Sequence, residues 1–218
     1  MSKKLILFPF GGNAKEALGT IQDINKEKME WDVCGFLDDN PSHKEKELNG
    51  IKVLGGKEKL KDFPDAFVLA VPGNPENYFK RKEIIDSLKI DPSRFATIIH
   101  PTVNISADAK IGYNTLLMPY VVVSCGVSIG NHCIVLPHTV LSHDSQIGDY
   151  TCIGSNVSVS GSVTIQSNCY IGSRTSIRDQ ITIGEKSLVG IGSNVIANLD
   201  KEVVAAGNPA KIIRKVQK

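Results

Sequence analysis

The sequence predicts two domains, an α/β half-Rossmann domain over residues 1–97 and an all-β parallel β-helix with a C-terminal cap over residues 98–218. The β-helix is predicted by an aliphatic residue that recurs at every sixth position from Ile99 to Val195 without a break. A second observation is that Gly often follows this residue, while a small or β-branched residue lies two positions before the next one. The α/β domain is predicted by a strand, a Gly-rich turn and a helix, followed by a strand that ends in acidic residues.

The six-residue period identifies the β-helix because neither the 3.6-residue period of a helix nor the two-residue period of a strand produces it. Three such units close one coil of a triangular solenoid, with the aliphatic side chain pointing towards its axis. Cys133 and Cys169 fall at small interior positions, where Cys acts as a compact apolar residue. The series is Ile99, Ile105, Ile111, Leu117, Val123, Ile129, Val135, Leu141, Ile147, Ile153, Val159, Ile165, Ile171, Ile177, Ile183, Val189 and Val195.

The N-terminal α/β domain contains one loop and one acidic pair that suit a nucleotide. Gly11 and Gly12 follow the first strand and let the backbone approach a phosphate at a helix N-terminus. Asp38 and Asp39 end the second strand, where carboxylates accept hydrogen bonds from a ribose or a base. The loop is not GxGxxG, however, so a tight turn and a turn cap explain the same residues. Its expected elements are a strand over 5–10, a helix to about residue 26, strands over 31–37, 51–54 and 67–71, a helix over about 76–88, and a strand over 95–99.

Composition and charge exclude several classes of function. Lys and Arg number 25 against 23 Asp and Glu, so the formal charge of +2 predicts neither a nucleic-acid nor an anionic-membrane partner. No apolar run approaches the roughly 20 residues that span a bilayer. The N-terminus reads as a strand and lacks the features of a signal peptide. Five cysteines without metal-binding spacing predict reduced thiols in a cytoplasmic protein with no bound metal.

The histidines of the repeat region allow three explanations. His138 and His143 have an H-x4-H spacing that suits zinc if both lie on one edge, but a third imidazole is expected near residue 102, which is Thr102. Alternatively, His143 is a general base oriented by Asp144. Residues in successive coils are eighteen positions apart, so Gly161 stacks on His143 and its backbone N–H suits an oxyanion.

The third explanation is a solvated corner histidine that packs against a neighbouring subunit. We favour this for His132, and we leave His138 open.

Motifs from both domains together resemble one family. They are the Ser142–Asp149 segment with its His-Asp pair, the Gly190–Ser193 stretch, the Gly207–Lys211 ending, the Gly11–Lys15 loop and the Gly35–Asp39 strand end. The whole chain resembles the left-handed β-helix acyltransferases that include bacterial nucleotide-amino-sugar N-acetyltransferases and sialic acid O-acetyltransferases. The hexapeptide repeat alone indicates only the wider acyltransferase superfamily.

This resemblance implies a homotrimer with acetyl-CoA between two β-helices and the nucleotide sugar on the N-terminal domain. The expected acceptor is the amine of a 4-amino-4,6-dideoxy sugar. His143 matches the general base, Asp144 the residue that orients it, and Gly161 the oxyanion donor. The substrate-binding residues implied are Gly11, Gly12, Asn13, Asp38, Asp39 and Gly55. The acetyl-CoA-binding residues implied are Cys152, Gly161, Ser173, Gly190, Ile191 and Gly192.

The chain departs from the family pattern in two places. Asn13 stands where the first loop commonly has His, after Pro9-Phe10 in place of Gly-Ala, and Cys152 stands where a second His is often found. These changes concern substrate identity and one cofactor contact. Three other functions remain open: a sugar O-acetyltransferase, a zinc carbonic anhydrase of β-helical fold, and a non-catalytic scaffold.

Overall fold

A computed structural model describes residues 2–216 and places an α/β domain before a β-helix. Met1, Gln217 and Lys218, which belong to the two predicted domain ranges, lie outside the described residues. The strands and α-helices of the first domain are β1 (Lys3–Phe8), α1 (Gly12–Glu27), β2 (Trp31–Phe36), β3 (Glu47–Leu48), β4 (Ile51–Lys52), β5 (Phe67–Ala70) and α2 (Arg81–Asp86). Strands β2, β1 and β5 form a parallel sheet in that order, with α1 connecting β1 to β2, as a half-Rossmann unit requires.

The second helix is shorter than the sequence predicts. The expected helix over 76–88 is a 3₁₀ turn at Tyr78–Lys80 followed by α2 at Arg81–Asp86. The Asn74 side chain accepts hydrogen bonds from backbone N–H groups two and three residues on, which makes a turn where the helix was expected to begin. The Tyr78 hydroxyl donates to a carbonyl of the β-helix at 2.9 Å. Among residues 2–216, no helix is both long and apolar enough to cross a bilayer.

The second domain is a parallel β-helix of about six coils, as the six-residue period predicts. Each short strand pairs with the strand one coil on, so that Val122 lies opposite Val140. The strands are β6 (Ile98–Ile99), β7 (Asn104–Ile105), β8 (Lys110–Ile111), β9 (Leu116–Leu117), β10 (Val122–Val123), β11 (Ser128–Ile129), β12 (Ile134–Val135), β13 (Val140–Leu141), β14 (Gln146–Ile147), β15 (Cys152–Ile153), β16 (Ser158–Val159), β17 (Thr164–Ile165), β18 (Tyr170–Ile171), β19 (Ser176–Ile177), β20 (Thr182–Ile183), β21 (Leu188–Val189), β22 (Asn194–Val195), β23 (Val203–Gly207) and β24 (Ala210–Lys215).

These strands form three flat faces joined by three corners. Face 1 contains β6, β9, β12, β15, β18, β21, β23 and β24; face 2 contains β7, β10, β13, β16, β19 and β22; face 3 contains β8, β11, β14, β17 and β20. We call the turns after face 1 corner A, those after face 2 corner B and those after face 3 corner C. The aliphatic series packs along the axis, and Cys133 and Cys169 are fully buried there, as the sequence predicts.

An antiparallel hairpin closes the C-terminal end of the solenoid. Strand β23 continues face 1 beside β21, and β24 turns back to pair with β23. The sequence predicts a cap in this segment. The hairpin covers the last coil, whose apolar interior is otherwise open.

The N-terminal domain packs on face 1. Outward side chains of that face, including Ile134 and Cys152, share one apolar core with Leu5 and Leu69 of the first domain. Asn114 of corner C extends this contact because its side-chain amide exchanges two 2.8 Å hydrogen bonds with the backbone of Ala70. Corner B is the edge of the triangular prism opposite face 1, so it lies away from the N-terminal domain.

Candidate active site

The side chains of His143 and Asp144 form an exposed hydrogen-bonded pair at corner B. The His143 Nδ1 atom lies 2.8 Å from Asp144 Oδ2, and the two side chains are 60% and 66% exposed. A carboxylate only accepts hydrogen bonds, so Nδ1 carries the proton and Nε2 keeps a lone pair when the ring is neutral. This arrangement suits a general base that takes a proton on Nε2.

Gly161 lies directly against the imidazole, one coil on, as the repeat arithmetic predicts. A Cβ atom at this position would fall well inside van der Waals contact with His143 Nε2 and Cε1. The Gly161 N–H has no hydrogen-bond acceptor within residues 2–216, whereas the N–H of Asn131, at the matching position of corner C, donates to Asp149 Oδ1 at 2.7 Å. The glycine therefore leaves both space for the imidazole and an unused donor beside it.

The proposed zinc pair is not assembled on one edge. His138 lies at corner A, where its ring stacks on Tyr120 with 4.9 Å between centroids, whereas His143 lies at corner B. The condition for a zinc site, that both imidazoles lie on one edge, is not met, because five residues carry the chain along face 2 to the next corner. The described part of the chain contains no cluster of three or more His, Cys, Asp or Glu side chains that could hold a metal ion.

His132 differs from the solvated corner histidine that the sequence predicts. It is only 3% exposed at corner C, where its ring stacks on Tyr150 at 4.6 Å and its Nδ1 accepts from the Asn114 amide. Burial, together with the nearby positive charge of Arg81, lowers the pKa of His132 to about 4. This imidazole is thus neutral near pH 7 and forms part of the domain interface.

A cavity of about 300 Å³ opens at the carboxyl ends of β1, β2 and β5, where half-Rossmann domains bind ligands. Helix α1 begins here with no side chain capping it and no acidic residue in its first turn, so its N-terminal N–H groups face the cavity unopposed. Five predicted substrate-binding residues line it, namely Gly11, Gly12, Asn13, Asp38 and Asp39. Gly55 is not among the lining residues, and its carbonyl accepts a hydrogen bond from the Asp38 N–H at 2.8 Å.

The two aspartates of the strand end have different roles. Asp38 is largely buried, and its Oδ2 accepts from the Phe10 N–H at 2.8 Å and contacts His43 Nδ1 at 3.0 Å. Asp39 remains 46% exposed and bonds to the backbone and side chain of Lys57. Burial raises the pKa of Asp39, but these hydrogen bonds and the Lys57 charge outweigh it, so its pKa is lowered. Asp39 is therefore an ionised, accessible group, whereas Asp38 holds the loop.

Two residues, Asn13 and Arg81, hold the loop that follows β5. Only Asn13 is among the predicted substrate-binding residues. Asn13 donates from its amide to the carbonyls of Val71 at 3.2 Å and Gly73 at 3.0 Å. Arg81 is fully buried and donates to the carbonyl of Pro72 on the same loop. Sequence reasoning missed Arg81 because an arginine in a short polar helix reads as a solvated side chain.

Arg81 also joins the two domains. Its Nε donates to the Tyr150 carbonyl at 2.9 Å, and its Nη2 donates to the His132 carbonyl. Both carbonyls belong to corner C. The side chain thus links the cavity loop to the β-helix through hydrogen bonds to carbonyl groups.

Four predicted acetyl-CoA residues lie together at corner A. The Gly192 N–H donates to the Ser173 carbonyl at 2.9 Å, so two successive coils meet there. Ile191 is 80% exposed, which leaves an apolar side chain in water beside the small residues Gly190 and Gly192.

Cys152, also a predicted acetyl-CoA residue, lies apart from these four. It lies on face 1 beneath the N-terminal domain and is only 5% exposed. Burial raises the pKa of its thiol even though Arg81 lies close by. The docking of the N-terminal domain covers Cys152, so its thiol is not on the surface of a single chain.

Comparisons with known proteins match both domains. Residues 4–88 match the PglD N-terminal domain and residues 94–198 match the GMPPB C-terminal domain. No curated protein sequence matches the chain significantly.

Solved structures match over nearly the whole chain. The acetyltransferase domain of PglB from Neisseria gonorrhoeae, in complex with acetyl coenzyme A, has a TM-score of 0.83 at 23% identity and covers 98% of this chain and 100% of its own. A mutant of perosamine N-acetyltransferase from Caulobacter crescentus, in complex with CoA and GDP-perosamine, has a TM-score of 0.82 at 20% identity and covers 97% of each chain. WeeI from Acinetobacter baumannii has a TM-score of 0.77 at 21% identity, covering 98% of this chain and 100% of its own.

These matches confirm the predicted resemblance and the fold, an α/β domain followed by a left-handed parallel β-helix.

Proposed function

We propose that this chain, which has the fold and domain order of the hexapeptide-repeat nucleotide-amino-sugar acetyltransferases, transfers an acetyl group from acetyl-CoA to the amine of a nucleotide-linked sugar. The observation that carries this proposal is the His143–Asp144 pair packed against Gly161, a residue whose N–H has no acceptor within residues 2–216. The matched perosamine N-acetyltransferase contains CoA and GDP-perosamine and the matched PglB domain contains acetyl coenzyme A, which supports the same pair of substrates. The expected acceptor is a 4-amino-4,6-dideoxy sugar.

His143 acts as the general base in a direct transfer. The neutral sugar amine attacks the thioester carbonyl carbon, and His143 Nε2 takes a proton from the amine as the C–N bond forms. Asp144 keeps Nδ1 protonated and stabilises the imidazolium that results. The C–S bond then breaks, and the CoA thiolate leaves and takes up the proton held on His143 Nε2, which returns the imidazole to its neutral form. A covalent acyl-enzyme is not required, because an amine is already a good nucleophile and binding supplies the near-attack geometry.

Gly161 supplies the donor for the oxyanion. Negative charge develops on the thioester oxygen during attack, and a fixed backbone N–H beside it stabilises the transition state more than the ground state. Gly161 itself lies against the imidazole that deprotonates the nucleophile, because a Cβ atom built on it would meet the ring. Proton abstraction and oxyanion stabilisation therefore act at one point on corner B.

The cavity of the N-terminal domain holds the nucleotide part of the acceptor. Its diphosphate lies at the uncapped N-terminus of α1, where Gly11 and Gly12 permit close approach. Asp39 accepts hydrogen bonds from the ribose or the base. Asp38 and Asn13 act indirectly by fixing the loops on which this cavity depends.

The active site forms between copies of the chain in a homotrimer. In one chain, His143 lies at the edge opposite the face that carries the N-terminal domain, and the predicted acetyl-CoA residues Ser173 and Ile191 lie at a different edge. A neighbouring β-helix brings its corner to His143, and acetyl-CoA binds in the groove between them. The predicted cytoplasmic location stays a prediction.

The decisive experiment measures release of CoA thiol from acetyl-CoA against a panel of nucleotide-linked 4-amino sugars and free sialic acid. We expect release with an amino-sugar nucleotide, and a fall of about 10²–10⁴-fold in the His143→Ala variant. Met29→Ala is the control, because this exposed side chain lies in the turn between α1 and β2, away from the cavity and from corners A and B, and its turnover should equal that of the wild type.

Release with sialic acid alone would reassign the chain to O-acetylation. Full activity of His143→Ala would refute the general base, and absence of CoA binding would favour a scaffold.

A further inference from the structure

We infer that Gly126 is a positioning residue that keeps the Asp144 carboxylate on the imidazole of His143. Its consequence for catalysis rests on the proposed function, whereas its effect on the geometry of the pair does not. Gly126 lies one coil before Asp144 at the same position of corner B, and the Asp144 N–H donates to the carbonyl of the preceding residue, Cys125, at 3.0 Å. The two turns are thus stacked and held by the backbone.

The Asp144 carboxylate occupies the space that a side chain at position 126 would need. A Cβ atom built on Gly126 would lie 2.5 Å from Asp144 Oδ1, and 3.4 Å from Asp144 Cα and Cγ. The other carboxylate oxygen, Oδ2, is the one that contacts His143 Nδ1 at 2.8 Å. The two oxygens move together, so pushing Oδ1 away also takes Oδ2 off the imidazole.

Backbone conformation alone does not account for the glycine. Gly126 has a φ of +68°, which favours glycine in most proteins. At this position of corner B, however, Asp144, Ser162 and Gln180 have φ values of +59°, +56° and +58°. The β-helix therefore accommodates side chains with this backbone conformation, and what distinguishes position 126 is the carboxylate lying over it.

The backbone of Gly126 is itself fixed. Its N–H donates to Asp108 Oδ2 at 2.9 Å, and this bond lowers the pKa of the Asp108 carboxyl, so that the acceptor stays ionised. The turn cannot withdraw from an added methyl group without losing this hydrogen bond. The exposed tip of Asp144 moves more easily, so a Gly126→Ala chain folds but holds its carboxylate in a different place.

The catalytic pair therefore depends on the absence of a side chain in each of the two coils that flank it. Gly161 leaves space for the imidazole on one side, and Gly126 leaves space for the carboxylate on the other. Removing either space displaces one member of the pair. Only Gly161 also contributes a donor to the reaction, so Gly126 acts solely through Asp144.

The test is the Gly126→Ala variant, with activity and imidazole tautomer measured separately. We expect kcat to fall about 10–10²-fold, as for a misplacement of roughly 1 Å, with KM for both substrates changed less than about twofold. In an Asp144→Ala background, Gly126→Ala should cause no further loss, because the group through which it acts is gone. Nitrogen NMR of His143 should show the proton on Nδ1 in the wild type and a mixture of tautomers in Gly126→Ala.

Gly50→Ala is the matched control, because Gly50 also has a positive φ of +78° but has nothing within 4 Å of an added Cβ. We expect it to leave kcat and the His143 tautomer unchanged. An unchanged tautomer in Gly126→Ala would overturn the inference, and so would a further loss of activity in the Asp144→Ala background. If the wild type transfers acetyl to no acceptor, the proposed function fails, but the NMR comparison still decides the role of Gly126.

Discussion

Replacement of Gly161 by Ala tests the geometry of the active site most directly. The variant keeps the backbone N–H and removes only the space that the imidazole occupies. An added Cβ atom would lie 2.5 Å from His143 Cε1, whereas ordinary contact begins at 3.4 Å. The imidazole must therefore move by about 1 Å, and a displacement of that size costs on the order of 10²-fold in rate.

The obstacle in this variant is the exposed end of a flexible side chain, so folding should be little affected. We expect the melting temperature to stay within about 3 °C of the wild type, because surface changes of this kind are usually worth less than about 0.5 kcal/mol. Turnover, measured as CoA thiol release, should fall on the order of 10²-fold. The His143→Ala, Gly161→Ala double variant should be no slower than His143→Ala alone by more than about twofold, because the displaced group is already absent.

Gly19→Ala is the matched control for this experiment. Gly19 lies in α1 with nothing within 4 Å of an added Cβ, so the same chemical change meets no neighbour. Its turnover should match the wild type. A Gly161→Ala variant that also retained wild-type turnover would refute the reasoning, because it would mean that the position of the imidazole does not limit the rate.

Two further predictions concern the domain interface. Arg81→Met should lower the free energy of unfolding by at least about 3 kcal/mol in denaturant titrations, because the carbonyls of Pro72, His132 and Tyr150 lose their buried donor. Lys82→Met, at the exposed neighbouring residue, is the control. An equal loss of stability in both variants would contradict this role of Arg81. Burial and then the Arg81 charge lower the pKa of His132 from 6.5 to about 4. As the pH falls from 6.5 towards 4, the unfolded chain binds a proton at His132 that the folded chain does not. The folded state should therefore become less stable over this pH range. Melting temperatures at pH 7.5 and pH 5 should therefore differ less in His132→Gln than in the wild type or in His138→Gln, and an undiminished difference would argue against a buried neutral imidazole.

The sequence predicted the β-helix and one part of the site for the same reason. A coil of eighteen residues makes spatial neighbours computable from residue numbers, so the contact between His143 and Gly161 followed from arithmetic. The same arithmetic places Gly126 one coil before Asp144, and this was the signal that sequence reasoning left unused. The half-Rossmann elements followed from apolar runs and turn residues, although the second helix is shorter because side-chain contacts at Asn74 and Tyr78 override its helical pattern.

What the sequence could not supply is the effect of docking one domain on the other. His132 and His143 are both corner histidines in the repeat pattern, yet the first is buried and the second is exposed. Likewise, Cys152 and Ser173 both belong to the hexapeptide-repeat region, but only Cys152 is covered by the N-terminal domain.

By itself, the sequence determined the repeat, the stacking of coils and the contact between His143 and Gly161, since these depend on residues at a fixed separation along the chain. Only the tertiary structure decided which face is covered, which edge stays open and what the buried Arg81 contacts. Those features depend on how two separately folded surfaces pack together, and no periodicity in the chain encodes that packing.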